Sequence, residues 1–454
     1  MTAKQRFIIK IFFIVLFIIL APLVIAYTMG YRYNFGTNQI QKTGVLIVNS
    51  YPDEADVFLN EKIAGEQTPA VVKKILPNVY DVRVTKKNYI PWTKKLEVKS
   101  AQSTFAENII LFLDTTPRLI TEKEIINPTF SPDKTNLAYL IEETDWIEAW
   151  IYSFKNNGFT LIDRRPKEGI TSVDMRWSSG SSNIYLEIIG PELTEQVIYD
   201  TNGSKLINLN EVFINPVTNY KWSRTSDDVF YALDENKLYA YNLLNNQKTF
   251  LLGGVVEYFV RGNKIFLITP SEDYVIVEEF DILNPDAEVT QLYELPPGKY
   301  KFEDASYPYL LIKKDSQELL LFDTSAPFTE PILNQEAQGY SWHASDNGDR
   351  QLLYFTEFEI WVFYPQDKYN ELITRAGEEI MNAEWHRFGT YIFYGLENDI
   401  KVIELDSREK RNIFDLVNNA KINKFSTDYN SKNLYFIGEV NNQHGIYHYP
   451  LTEK

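Results

Sequence analysis

The stretch VDMRWSSGSSNIYLEI, residues 173–188, decides the fold, because it recurs. A short run ends in Trp177. A serine-rich turn follows, and then an aromatic and aliphatic run reads as a second strand. TNYKWSRTSDDVFYAL (218–233) has the same grammar. So do NPTFSPDKTNLAYL (127–140) and QGYSWHASDNGDRQLLYF (338–355). MNAEWHRFGTYIFYG (381–395) and INKFSTDYNSKNLYFIG (422–438) repeat it again. VEYFVRGNKIFLIT (256–269) and YKFEDASYPYLLIK (300–313) are the least regular, lacking both the Trp and the Ser. A period of roughly 40 residues with strand-like patterning marks a repeat architecture of stacked four-stranded units.

Each opening is followed by a third strand and a polar turn. A fourth strand then closes the unit: FTLIDRR (159–165), SKLINLN (204–210), KTFLLGG (248–254), VTQLYEL (289–295), TEPILNQ (329–335), NELITRA (370–376) and RNIFDLV (411–417). The eighth unit stops at GIYHYPLTEK (445–454) without one. TPRLITEKE (116–124) has the fourth-strand pattern and no unit before it. In a circle of sheets this upstream strand, 116–124, is expected to complete the last sheet and close the ring. The expectation is an all-β chain whose residues 117–454 form an eight-bladed β-propeller, with seven blades the alternative if the fourth and fifth units are misread. With Ser131-Pro132-Asp133 ahead of NLAYL, and Trp-Ser pairs at 177–178 and 222–223, this region resembles the TolB and tryptophan–aspartate propellers. That resemblance implies architecture and leaves function open, since propellers host many roles.

Upstream, RFIIKIFFIVLFIILAPLVIAY (6–27) is apolar from Phe7 to Tyr27 except for Lys10. About 20 such residues, at ~1.5 Å each, span a bilayer core. Phe7, Ile11, Phe12, Phe13, Leu16, Phe17 and Leu20 form the body of the anchor. Tyr27, with Tyr31 and Tyr33, stands where an interfacial aromatic belt would. Lys4, Arg6 and Lys10 precede the run, so the positive-inside rule places residues 1–6 in the cytoplasm and everything after Tyr27 outside. A cleaved signal peptide is the competing reading, but the run is long for one and no small-x-small site follows. Residues 28–43 read as a linker.

Residues 44–113 read as a small two-layer β-sandwich. GVLIVNS (44–50), ADVFLN (55–60), TPAVVKKI (68–75), NVYDVRVT (78–85), WTKKLEVKS (92–100) and FAENIILFL (105–113) are its strands, with a turn at NEKIAG. Pro52-Asp53-Glu54-Ala55 precedes VFLNEKIAGEQTP (57–69), LPNVYDVRV (76–84) and KKNYIPWTKKLEV (86–98). These carry a resemblance to the PEGA domain, named for a Pro-Glu-Gly-Ala signature. They match its signature turn, its Gly-x-x-Thr-Pro step, its Pro-x-x-Tyr strand entry and its Lys-x-x-Tyr close. The resemblance implies an envelope β-sandwich without catalytic residues. Glu54 and Asn78 stand where that family usually has Gly, so strain or remodelling is expected at both turns. Asp53, Glu54 and Asp56 read as solvated turn acids, since a calcium loop needs more oxygen ligands and a glycine to bend it.

Composition narrows the function. The chain has 454 residues, 15% aromatics, 45 Lys+Arg against 62 Asp+Glu, and a formal net charge of −17. The excess acid lies beyond residue 116, and nucleic acid is excluded as a partner for want of a basic face. Cysteine is absent, which removes disulfides, thiol catalysis and thiolate metal sites. No Gly-x-Ser-x-Gly elbow or phosphate-binding glycine loop occurs. His343 and His386 follow equivalent Trp residues, which repeat grammar explains better than a shared metal site. His444 and His448 lie roughly 13 Å apart along a strand, too far for one ion. SDNGDRQ (345–351) reads as a plain loop. No catalytic, cofactor-binding or metal-binding residue is expected. Phe130, Trp177, Trp222, Trp342, Trp385 and Phe425 share one register and are expected to pack between blades, with a sugar-stacking platform as the alternative.

The expectation is a single-pass, extracytoplasmic, non-catalytic protein of the cell envelope. Its propeller loops would recognise a protein or an envelope glycan, and no cofactor is implied. The alternatives are an envelope carbohydrate hydrolase or lyase using acids in the propeller funnel, and the outer sensing part of a larger assembly.

Overall fold

A computed structural model describes residues 3–35, 38–191, 194–284, 288–345 and 347–453. The chain divides into two compact units. One comprises residues up to Thr115, the segment Ile403–Leu416 and the last residues from Leu451. The other comprises Thr116–Val402 and Val417–Pro450.

In the larger unit, each repeat opening falls on the first two strands of a four-stranded antiparallel sheet. Among the described residues from 116 on there are eight such sheets. Sheets 1 to 7 span 126–166, 172–208, 218–253, 257–295, 300–336, 339–375 and 382–417 in chain order, the last including the segment Ile403–Leu416 that is counted with the smaller unit. Sheet 8 takes three strands from 420–450, and its fourth is Arg118–Glu122, antiparallel to Gln443–Pro450 with Leu119 opposite Tyr447. The two least regular units form complete sheets, 4 and 5.

The sheets bury their faces against one another in succession. One apolar cluster joins sheets 1 and 2 through Ala138, Met175 and Trp177. Others join 2 to 3, 3 to 4, 4 to 5 and 5 to 6. His343 of sheet 6 packs on Trp385 of sheet 7, and Asn382 of sheet 7 donates to Phe425 O of sheet 8. Sheet 8 returns to sheet 1, where Tyr435 stacks on Phe154 at 3.8 Å between ring centroids and Ile437 and Ile446 join Leu137 and Tyr139. The ring is closed, and the fold is a β-propeller. Contacts that skip a sheet show that the first strands lie nearest the axis: Arg224 of sheet 3 reaches Asp304 of sheet 5, and Lys134 of sheet 1 reaches Glu384 of sheet 7.

Two details depart from expectation. The fourth strand of sheet 2 is only Lys205–Asn208, because Asn208 caps a 3₁₀ turn at Leu209–Glu211. That of sheet 5 begins late, at Leu333.

In the smaller unit, helix α1 (Ala3–Thr28) contains the whole apolar run, with Pro22 inside it. None of the membrane-grade window from Lys4 to Thr28 is buried in the protein. Phe7, Ile11, Phe12, Phe13, Phe17, Leu20 and Tyr27 are exposed, and Leu16 partly so. The 28–43 stretch is not a bare linker, for Tyr31–Asn34 pairs with Gln39–Lys42 as an antiparallel hairpin. Arg32 lies over the Tyr27 ring at 3.5 Å and donates to Tyr27 O, tying hairpin to helix.

The sandwich has two sheets. One orders Ala70–Ile75, Gly44–Tyr51 and Ser103–Ile110, the last two parallel. The other orders Lys62–Gln67, Asp56–Leu59, Asn78–Thr85 and Trp92–Val98. Lys62–Gln67 is a strand where a turn was expected; nearly all its residues are exposed, so no buried alternation marked it. Trp92–Val98 alternates without a break, which puts Lys94 on the inner face with Trp92, Leu96 and Val98.

Candidate functional site: the mouth of the propeller channel

The Pro52–Ala55 turn forms a corner of the sandwich. Ala55 is fully buried, while Asp53 and Glu54 are exposed. Thr68 holds the corner: its hydroxyl accepts from Ala55 N at 3.0 Å and lies 2.7 Å from Ser50 Oγ. Pro52 O accepts from Ser50 Oγ at 2.8 Å, and Asp53 O from Lys86 Nζ at 2.6 Å. Glu54 adopts φ +59°, the left-handed conformation that glycine takes without cost. Asn78 does not; it opens a strand, so the strain expected there is not found.

In the same unit, Lys94 Nζ is sealed from solvent against Glu404, whose other oxygen accepts from Trp92 Nε1 at 2.7 Å. Lys94 also donates to Asp406 O at 2.6 Å. Such a pair holds only while both charges are present.

In the propeller, the register aromatics meet with different fates. Trp177 Nε1 donates to Thr129 O of sheet 1 at 3.0 Å. Trp342 donates to Asp304 O at 3.0 Å, and Trp385 to Ser341 O of sheet 6 at 3.1 Å. Each ties its sheet to the one before. Phe425 is buried against Gly395 of sheet 7, where an added Cβ would come within 2.9 Å of its ring. Phe130 packs on Phe154 within its own sheet. Trp222 packs edge-on to Tyr220 and Phe230, but its buried N–H meets no acceptor.

Trp222 borders a cavity of about 360 Å³ whose wall runs from Pro132 in sheet 1 to Asp304 in sheet 5. A wall drawn from so many first strands and their turns can only lie at the channel mouth. Two larger hollows, of about 590 and 700 Å³, are walled by sheets 4 to 6 near the rim. The mouth's charged lining is Lys221, Arg224, Glu303 and Asp304, with Ser179 beside them, and its aromatic lining is Trp222, Tyr231, Phe259 and Phe302.

The acids around the channel are committed to holding sheets. Glu257 is paired with Lys221, accepts from Asn219 Nδ2 at 2.6 Å and meets Phe302 N at 3.3 Å, binding sheets 3, 4 and 5. Glu384 accepts from Lys134 Nζ at 3.1 Å, Ser426 Oγ at 3.0 Å and Thr427 N at 2.6 Å, binding sheets 7, 8 and 1. Asp304 is paired with Arg224, and Glu303 accepts from Tyr340 O–H at 2.9 Å. Burial pushes the Lys221 ammonium down, and Glu257 beside it pulls it back. Arg261, under the rim, donates to Ala305 O and Tyr309 O; burial and the Arg224 charge push it down to about 10.

The histidines lie in different surroundings. His386 is buried, and desolvation with Arg387, Lys134 and His343 nearby pushes it down to about 3; its Nδ1 accepts from Phe388 N at 3.3 Å, as a neutral ring can. His444 faces Glu439 at 3.5 Å and His448 Nε2 contacts Asn433 at 2.7 Å. Among the described residues no three His, Asp or Glu side chains are grouped to hold a metal ion. Of the 345–351 loop, position 346 lies outside the described residues.

The channel-lining residues Lys221, Arg224, Glu303 and Asp304 were not singled out from sequence. The available signal was register: Arg224 and Asp304 each stand two places after the last aromatic of their unit's first strand, Trp222 and Phe302, where sheet 1 has Pro132 and sheet 2 has Ser179.

Residues 43–109 match the family model of the PEGA domain. Comparison with curated proteins gives no match. Among solved structures, the chain is similar to the C-terminal WD40 domain of Sif2, at 17% identity, covering 74% of this chain and 99% of that one with a TM-score of 0.49. It is similar to an uncharacterized protein, lmo1340, from Listeria monocytogenes EGD-e, at 15% identity over 65% of this chain and 95% of that one, TM-score 0.42. An oligogalacturonate lyase in complex with manganese aligns at 10% identity over 73% of this chain and 99% of that one, TM-score 0.40. The similarity is too distant to bear on what this chain does.

Proposed function

We propose that this is a membrane-anchored, extracytoplasmic, non-catalytic recognition protein, with the mouth of the propeller channel as its binding site. The observation that supports it is the state of the channel acids. Glu257, Glu384 and Asp304 are held by cations, and Glu303 by a tyrosine hydroxyl. General acid–base chemistry needs a carboxyl that can take and give up a proton beside a substrate. Here proton uptake would break contacts that hold the ring together. A rigid ring with an aromatic-walled mouth suits binding without turnover. Helix α1, with Lys4, Arg6 and Lys10 in its first turns and no comparable basic cluster after it, supplies the anchor and the outward orientation.

The test uses full-length protein solubilised in detergent with the membrane it came from. Capture of an envelope component by wild type, lost in Arg224→Ala and without chemical change to the component, supports the reading. Turnover of an envelope polymer that disappears in Glu303→Gln would sink it.

A further inference from the structure

We infer that the channel mouth binds one neutral saccharide unit, stacked on Trp222; this rests on the recognition reading above and names its ligand. About 360 Å³ lies at the small end of ligand pockets, which run ~300–1,000 Å³. The space therefore suits one compact group rather than a folded partner. Four aromatic side chains from sheets 3, 4 and 5 face it: Trp222, Tyr231, Phe259 and Phe302. A pyranose presents just such a body, with C–H faces that lie on aromatic rings and an edge of hydroxyls that both donate and accept.

The polar lining selects among ligands by charge. Lys221 is held by Glu257 and Arg224 by Asp304, while Glu303 is held by the Tyr340 hydroxyl. A net anion would have to compete with Asp304 for Arg224 in the field of Glu303, and a net cation would have to draw Glu303 from Tyr340 or Asp304 from Arg224. A hydroxyl pair bridging donor and acceptor displaces neither, so a neutral polyhydroxyl group incurs the smallest desolvation cost. Arg224 and Asp304 are exposed enough to reach such a group.

Trp222 itself carries the second observation. Trp177, Trp342 and Trp385 spend their indole N–H on a carbonyl of the preceding sheet; Trp222, at the same register, does not. A buried N–H without an acceptor costs about 1–3 kcal/mol, so Trp222 is not placed here by a tie to the preceding sheet as the other three are, and it is the ring of Trp222 that borders the cavity.

The experiment is a glycan array probed with detergent-solubilised full chain, carrying neutral hexoses, N-acetylhexosamines and their dimers, glucuronate-terminated glycans, and capped dipeptides. Hits are then measured by titration calorimetry. Retention of neutral glycans is expected, with affinity about tenfold weaker in Trp222→Ala. Arg224→Ala provides a second weakened variant should Trp222→Ala fold poorly, and Tyr429→Ala, an exposed residue outside the cavity wall, should bind as wild type. Preference for glucuronate, retention of dipeptides alone, no retention at all, or unchanged affinity in both Trp222→Ala and Arg224→Ala would each overturn the inference. If sugars are not retained while Arg224→Ala still abolishes envelope capture, the saccharide is wrong and the recognition reading stands.

Discussion

The sandwich and the propeller use unusual residues in opposite ways. In the sandwich each oddity is absorbed by the fold: Glu54 in a left-handed turn, Lys94 on an inner face, Thr68 buried under a signature corner. Every position there occurs once, so an odd residue has no standard to be compared with. The propeller repeats its unit, and repetition supplies the control. Three register tryptophans tie sheet to sheet, and the fourth borders a cavity with its N–H unspent. A departure from register is therefore more informative in the ring than any single residue in the sandwich.

Breaking the sandwich at its buried charge gives the largest effect. Lys94→Met leaves Glu404 sealed and unpaired, and should cost the smaller unit ~3–5 kcal/mol, read as a lower melting transition in calorimetry. Lys94→Met combined with Glu404→Leu removes the unpaired charge and should recover part of that loss, the rest remaining because the Trp92 and Asn412 N–H groups lose their acceptor.

Acid tests the ring next. His386 is neutral in the fold, pushed down to about 3, whereas the unfolded chain takes up the proton near 6.5. Its contribution is fully present above the unfolded value and drains away as pH falls from about 6.5 toward 3. Lowering pH from 6.5 to 5 should cost about 2 kcal/mol, and His386→Gln should flatten that part of a melting-temperature profile.

The register comparison is sharpened by matched substitutions. Trp177→Phe orphans Thr129 O and should destabilise by about 1–3 kcal/mol. Trp222→Phe removes no hydrogen bond, so denaturant titration should show less than half that loss. The smallest effect returns to the sandwich. Glu54→Gly should relieve roughly 1 kcal/mol of left-handed strain, partly offset by unfolded-state entropy, for a net gain of ~0.5 kcal/mol. Slower hydrogen exchange at the Thr68 amide, which donates to Ala55 O, would report it.

Strand order was legible because burial writes a pattern. The eight openings, the latching strand upstream and the Pro52–Ala55 corner all stand on alternating or recurring apolar residues. Lys62–Gln67 and the Tyr31–Asn34 hairpin were not legible, since mostly exposed strands bury too little to alternate. The inward place of Lys94 was hidden for another reason: its partner lies more than 300 positions away in the chain, at Glu404. The cavity wall was invisible because it gathers turn residues, one or two from each unit, whose meeting depends on ring closure rather than on any local pattern.

That closure has a consequence for biogenesis. Leu119 finds its partner Tyr447 only after nearly the whole C-terminal region has emerged. As the polypeptide leaves a ribosome or a translocon, Arg118–Glu122 must wait as a bare edge, an invitation to chaperones and to mispairing with neighbours. Deleting Gln443–Pro450 would leave that edge permanently unclaimed, so cellular quality control would read a clipped tail as an unfinished protein.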